Sequence, residues 1–492
     1  MPAHVPGHFL DAAPLGLVLV PLLAAAVLFL SQRAKAAILV SVVSAILLSS
    51  AGLALHVLAV GPMRHRAGAW EAPLGIGLRA DGLSALMLIV TALTGAVVSV
   101  YGAGWFRREA RRAEGRFFWP LWLFLWAALN ALYLSADLFN LYVALELIGL
   151  ASVALVALSG GAEALIAGMR YLLVSLLGSL SYLLGVALLY GAHGVLDIQA
   201  LGALTSPGAL DWAAMTLMAV GLLAKAALFP LHFWLPSAHA SAPAPVSAIL
   251  SGLVVKAPFY LLLRLWFTAF PGLPSEATGQ LLGVLGACAV LWGSLHALLQ
   301  PRLKMLIAYS TVAQVGYLFF LFPLVTSASP AAGALAVDAS LCQLASHAFA
   351  KAAMFLAAGN VMLAVGSDRI EDMGGVVRHL PLTFFAFGLA GVSIMGLPLS
   401  GGYVAKWLLL NASLESGQWG WAAVAIAGSL MAAGYVFRIW MHGFGQPQPC
   451  AELLPVPRGI QLSALALSLL ALAMGISSEP LIRVLHAGGA FG

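Results

Sequence analysis

The stretch GLLAKAALFPLHFWLPSAHASAPAPVSAILSGLVVKAPFY, residues 221–260, decides the fold. An apolar segment carries Lys225, and Pro230 interrupts it five residues later. A run dense in prolines and aromatics follows, holding His232, Trp234, Pro236, His239, Pro243 and Pro245. A second apolar segment then carries Lys256 beside Pro258. A proline inside a helix withholds one N–H and frees the carbonyl four residues back. That carbonyl is Ala226 for Pro230 and Val254 for Pro258. In lipid a freed carbonyl needs a partner from protein or water. Two lysines in apolar helices beside opened backbone point to an ion path rather than a packing surface.

The rest of the chain agrees with a membrane setting. Of its 492 residues, 62% are hydrophobic and 8% charged, and mean hydropathy is +1.00. Apolar runs of about 20 residues, the length that crosses a ~30 Å hydrocarbon core, recur throughout. The expected fold is all-α: a polytopic membrane bundle without a soluble domain. The net charge of +5 is no nucleic-acid signal, because the basic residues sit in short loops. No Lys or Arg precedes the first apolar run, which argues against a cleavable signal peptide and for an outward N-terminus. Cys288, Cys342 and Cys450 are too far apart for a metal site or a disulfide framework. No phosphate loop, haem motif or iron–sulfur spacing is present, so neither a cofactor nor redox chemistry by this chain itself is expected.

Apolar length and breakers give about fourteen spans: 13–31, 36–58, 80–105, 117–136, 138–159, 163–190, 211–229, 246–269, 279–299, 303–324, 333–364, 381–411, 419–442 and 460–478. The span 333–364 is long enough to tilt or to contain a break. Twelve basic residues, among them Arg107, Arg108, Arg111, Arg112, Arg116, Arg302, Lys304 and Arg369, fall in odd-numbered loops, against four in even-numbered loops and tails. That excess places the odd loops in the cytoplasm and both termini on the outer side of the inner membrane. Arg170, Arg264 and Arg438 lie near span ends and can snorkel. Lys225, Lys256, Lys351 and Lys406 cannot readily do so.

These deep charges form the candidate site. Glu146, nine residues after Asp137, lies close to mid-bilayer, and is expected to pair with Lys225, which then takes up or releases a proton when its partner moves; the alternative is a static pair locking two helices. Lys256 is the next station. In SHAFAK, His347 and Lys351 share one helix face, which Gln343 extends by a turn, and imidazole suits a relay. In GVSIMGLPLSGGYVAKWLLL (391–410), Pro398, Gly401 and Gly402 open the backbone ahead of Lys406. His232 and His239 flank the first break, as relay or loop-anchoring groups. Ser175, Gly178 and Ser179 read as close helix packing only. Two broken helices in two halves suggest inverted repeats.

DLFNLYVALELIGLAS, KAALFPLHFWLPSAHASAPAPVSAILSGLVVK, LKMLIAYSTVAQVGY, SHAFAKAAMFL and GLPLSGGYVAK resemble the proton-conducting antiporter-like subunits shared by respiratory complex I, membrane-bound hydrogenases and Mrp-type Na⁺/H⁺ antiporters, with details most similar to the Mrp D subunit. The resemblance runs from about residue 80 to 445. It matches the family's deep glutamate to Glu146, the lysine before the break to Lys225, the lysine of the following span to Lys256, the HAxxK-type element to His347 and Lys351, and the lysine of the second broken helix to Lys406. Lys256-Ala257-Pro258, where members commonly show Lys-x-Gly, and Pro398-Leu399, where Pro-Pro is frequent, are departures that bear on local helix geometry and not on the charges. The resemblance implies flanking helices over 1–116, two antiporter-like repeats over 117–269 and 279–442, and a last helix and tail over 443–492. It implies proton translocation, with Na⁺ as a candidate exchanged ion, as one subunit among other membrane subunits. The competing readings are a membrane subunit of a redox-driven quinone or hydrogenase complex, and a scaffold with a dead channel, which the four deep lysines oppose.

Overall fold

The computed structural model describes residues 7–67, 75–108, 111–446 and 453–487; Cys450 lies outside them. Twelve of the described helices are long and apolar enough to cross a membrane. Two further passes are assembled from shorter pieces. Ala209–Lys225 is followed by the 3₁₀ turn Leu231–Trp234 and the short helix Leu235–Ser241, and Pro381–Met395 is followed by Gly401–Glu415. Each of the fourteen expected spans thus has a helical counterpart. An antiparallel hairpin, Met63–Ala67 with Ile76–Ala80, is an addition that the apolar pattern did not announce.

Helix starts follow local chemistry. Asp81, Asp137, Ser329 and Ser400 each accept a backbone N–H three residues on, which satisfies donors that a helix start leaves free. The helices 162–193 and 209–225 touch through glycine: a Cβ at Gly221 would stand 2.2 Å from the Gly178 carbonyl. Small residues here let two backbones meet.

Two spans depart from the expected continuity, and a third, long enough to tilt or to contain a break, has no break. The span 246–269 is not one helix. It runs as Ala244–Gly252, a single 3₁₀ turn at Val254–Lys256, Ala257–Arg264, and a π turn to Ala269. Pro258 sits in the first turn of the restarted helix, where no N–H is needed. Pro230 likewise lies beyond its helix, which ends at Lys225, so the expected freeing of the Ala226 and Val254 carbonyls by proline is replaced by helix ends. The span 333–364 is a single unbroken helix, Pro330–Val365, of 36 residues.

Arg264 does not snorkel. It is buried and forms a two-pronged ion pair with Asp81, both bonds 2.6 Å, while also donating to Tyr260 Oη and Ser84 Oγ. This clamp ties the start of the Gly82–Trp105 helix to the end of the segment that carries Lys256.

Candidate functional site

The first cluster surrounds Lys225, the last residue of its helix. The chain leaves that helix through Ala227, a non-glycine residue in the left-handed region at φ 54°, and a cis Phe229–Pro230 bond. Trp234 folds back so that its indole donates to the Ala224 carbonyl at 3.0 Å, and its ring stacks on Tyr171 at 4.1 Å. Lys225 Nζ donates to Ser175 Oγ at 2.9 Å and to the Leu145 carbonyl at 3.3 Å. The expected contact pair with Glu146 is not formed. Glu146 is half-buried and acts on Lys225 by charge from beyond ion-pair distance, while the ammonium is held by Ser175 and the Leu145 carbonyl. Ser175, expected only to pack, is a ligand of the lysine.

The second cluster is central. Lys256, fully buried, donates to the Ser251 carbonyl, left open where the helix breaks. Lys351 donates to the Ile307 carbonyl at 3.0 Å and to Ser310 Oγ. The two sites are joined: Ser251 Oγ and Thr311 Oγ1 lie 2.9 Å apart, and Thr311 donates to the same Ile307 carbonyl at 3.0 Å. His347 is buried with both ring nitrogens unpartnered among the described residues, within Coulombic range of Lys256, Lys351 and Lys406.

The third cluster holds Lys406. The second break passes through Gly396 at φ 80° and Leu399 at φ 70°, either side of Pro398. Gly402 is required there, since a Cβ would lie 1.9 Å from the Ser393 carbonyl. Lys406 Nζ donates to the carbonyls of Ile394, at 2.8 Å, and Met395, at 3.2 Å, and stands 4.7 Å from the Tyr317 ring centre, a cation–π distance. Gln343 donates to Gln314 at 2.8 Å, and Gln314 donates to the Ile394 carbonyl that Lys406 also uses. The clusters of Lys351 and Lys406 thus share one side of the Leu303–Leu318 helix.

That helix is what sequence reasoning missed. Lys304, Ile307, Ser310, Thr311, Gln314 and Tyr317 recur at three- and four-residue spacing in an apolar span, which is one helical face. The signal was in LKMLIAYSTVAQVGY and was legible as periodicity. Lys304, counted among loop charges, is in fact buried, donating to the carbonyls of Ala240 and Ala242. Of the two loop histidines, His232 stacks on Phe229 at 5.6 Å. His239 is fully buried against Phe355 at 4.5 Å, with both nitrogens unpartnered among the described residues. Among the described residues no hydrogen bond joins the Lys225 cluster to Lys256, and no group of metal-binding side chains occurs.

Residues 135–432 match the family described as NADH:quinone oxidoreductase/Mrp antiporter, TM. The chain is 36% identical over 405 residues to the NADH-quinone oxidoreductase N subunit of Desulforudis audaxviator, covering 81% of this chain and 79% of that one. It is 30% identical over 443 residues to the Na⁺/H⁺ antiporter D subunit of Alkalihalophilus pseudofirmus, covering 89% and 87%. A chain of the Mrp complex from Dietzia sp. DQ12-45-1b superposes with a TM-score of 0.89 at 27% identity, covering 98% of each. Family match, relatives and fold agree over most of the sequence, and this multi-pass membrane protein belongs to the NADH:quinone oxidoreductase/Mrp antiporter transmembrane family.

Proposed function

We propose that the chain is a proton-translocating subunit of a multisubunit membrane assembly, moving protons among Glu146/Lys225, Lys256, His347/Lys351 and Lys406. The observation that carries this is the polar side of Leu303–Leu318, which joins Lys256 to Lys351 by hydrogen bonds through Ser251, Thr311 and the Ile307 carbonyl and, further along the same side, places Gln314 on the Ile394 carbonyl that Lys406 also uses. Buried lysines bound only to neutral oxygens are costly as ammonium ions and suited to giving up a proton. His232, His239, Gln343, Pro230 and Pro398 serve the path as supporting groups. The two halves, 117–269 and 279–442, act as the repeats on which the path is built. The basic loops face the cytoplasm of the inner membrane, and both termini face outward.

The name of the A. pseudofirmus relative favours Na⁺/H⁺ exchange as the driving process. A second reading, a proton-pumping subunit of a redox-driven complex, is favoured by the D. audaxviator relative. Inverted vesicles containing the native complex test the relay: Lys256→Met and Lys351→Met should each abolish ΔpH formation with the complex intact. Wild-type ΔpH in either variant would sink it. Driving the same vesicles with a Na⁺ gradient or with NADH separates the two readings.

A further inference from the structure

The polar side of Leu303–Leu318 does not stop at the central cluster. Its first member, Lys304, forms the floor of a cavity of about 870 Å³ at the end of the bundle that carries the basic loops. Arg111, Arg302, Ser367, Asp368 and Ser241 line this cavity with it. Arg302 is neutralised by Asp368 at 2.8 Å. Among the described residues Lys304 has no carboxylate contact, and it donates instead to the Ala240 and Ala242 carbonyls, which flank Ser241 just past His239. Asp368, Arg111 and Arg302 are the charges within Coulombic range of it.

His239 lies on the inner side of that floor. It is fully buried, both its ring nitrogens lack partners among the described residues, and it is within Coulombic range of Lys304 on one side and of Lys351 and Lys256 on the other. A buried imidazole with no hydrogen bond is rare, because an unmade bond costs about 1–3 kcal/mol. Phe355 holds the ring by stacking and satisfies neither nitrogen. The histidine is thus fixed in place with its acid–base chemistry unused by the fold.

We infer that Lys304 and His239 are the inlet of the proton path, passing protons from the cavity at the basic end directly to the central Lys351/Lys256 cluster. This rests on the relay proposed above and adds to it a site of access. In the transfer, the Lys304 ammonium gives a proton to a neutral His239 nitrogen. Lys304, now an amine, is reprotonated from cavity water, and His239 releases its other ring proton inward. The chain is then loaded at its middle, and Lys225 is not on the way in.

The test uses the native complex in inverted vesicles, normalised to assembled protein. Lys304→Met keeps the stem and removes the proton; Lys304→Arg keeps charge and donors but does not release a proton at working pH. At least a tenfold loss of proton movement is expected in both, with assembly unchanged. Wild-type rates in both overturn the inlet, and so does rescue by arginine alone, which marks a strut holding Ala240 and Ala242. Lys351→Met is run in parallel: normal transport there defeats the relay itself, whereas loss there with normal Lys304 variants defeats only the inlet. If Lys304→Met fails to assemble, access is read with Ser367→Cys in a chain whose Cys288, Cys342 and Cys450 are serine. A bulky membrane-impermeant thiol reagent added on the basic-loop side should slow transport severalfold relative to the unlabelled variant. Full labelling without slowing overturns the inlet.

Discussion

Lys225→Arg separates a proton carrier from a strut. Arginine keeps a positive charge and can still donate to Ser175 Oγ and the Leu145 carbonyl, the two partners of Lys225. Hydrogen bonds to a charged group contribute about 1.5–3 kcal/mol each, so a variant that preserves them should keep the helix 162–193 joined to 209–225. Fit is the stringent condition. A Cβ at Gly178 would lie 3.2 Å from Lys225 Cγ, and one at Gly149 would lie 3.5 Å from Nζ, so glycines set the width of the channel the side chain occupies. The chemistry changes far more than the contacts. Guanidinium holds its proton far more tightly than an ordinary lysine ammonium, so its neutral form is at least ~100-fold scarcer. If Lys225 must lose its proton in each cycle, ΔpH formation by inverted vesicles should fall by about that factor, with the complex intact on native gels. Glu146→Gln removes the charge that acts on Lys225 without touching its hydrogen bonds, and should also stop transport with assembly unchanged. Arginine transport within twofold of wild type would refute the carrier role and leave Lys225 as a bolt between helices.

Lys406→Ala is expected to stop transport with assembly preserved; loss of the complex on native gels would instead favour a structural role. Gly402→Ala should fail earlier, since a methyl 1.9 Å from the Ser393 carbonyl forces the second break apart; reduced complex yield measures it, and normal yield with normal transport contradicts the geometry. Asp81→Asn leaves Arg264 buried without its counterion and should cost about 3–5 kcal/mol, seen as a lowered thermal midpoint. Burial pushes the Asp81 carboxyl up, but the charge and hydrogen bonds of Arg264 outweigh it and hold the group at about 2. A depressed carboxyl stabilises fully above its ordinary value and loses that contribution as pH falls from about 4 toward 2, so the wild-type midpoint should carry no Asp81 contribution to its slope between pH 5 and 8. Protease reaching the Arg107–Arg116 loop from the cytoplasmic side alone supports the proposed orientation, and cleavage from outside intact cells reverses it.

What could be read in advance follows from what each residue's neighbours in sequence reveal. A lysine in an apolar run announces itself, so Lys225, Lys256, Lys351 and Lys406 were visible one by one. Ser175 was not, because serine beside glycine in a membrane helix has the same spacing whether it packs or accepts a hydrogen bond. Lys304 follows Pro301 and Arg302, the signature of a loop, and only the distant Ala240–Ala242 backbone folding over it turns it into a buried group. The restart just after Lys256 was hidden because a proline in a first helical turn and a proline in a kink look alike in a string of letters. The hairpin went unread because Met63–Ala67 is short, with Arg64, His65 and Arg66 at its centre, and carries no apolar alternation.

The unbroken helix Pro330–Val365 has a mechanical meaning. At ~1.5 Å per residue it is roughly 54 Å long, nearly twice the hydrocarbon thickness. It holds Gln343, His347 and Lys351 on successive turns, while Lys225 and Lys256 sit at interruptions and Lys406, in the second turn of Gly401–Glu415, reaches back to the carbonyls of one. A continuous rod cannot change the spacing of its own side chains. It therefore acts as the ruler of the molecule, and any stroke must come from the segments beside it, whose loosened ends can carry their lysines toward or away from fixed marks.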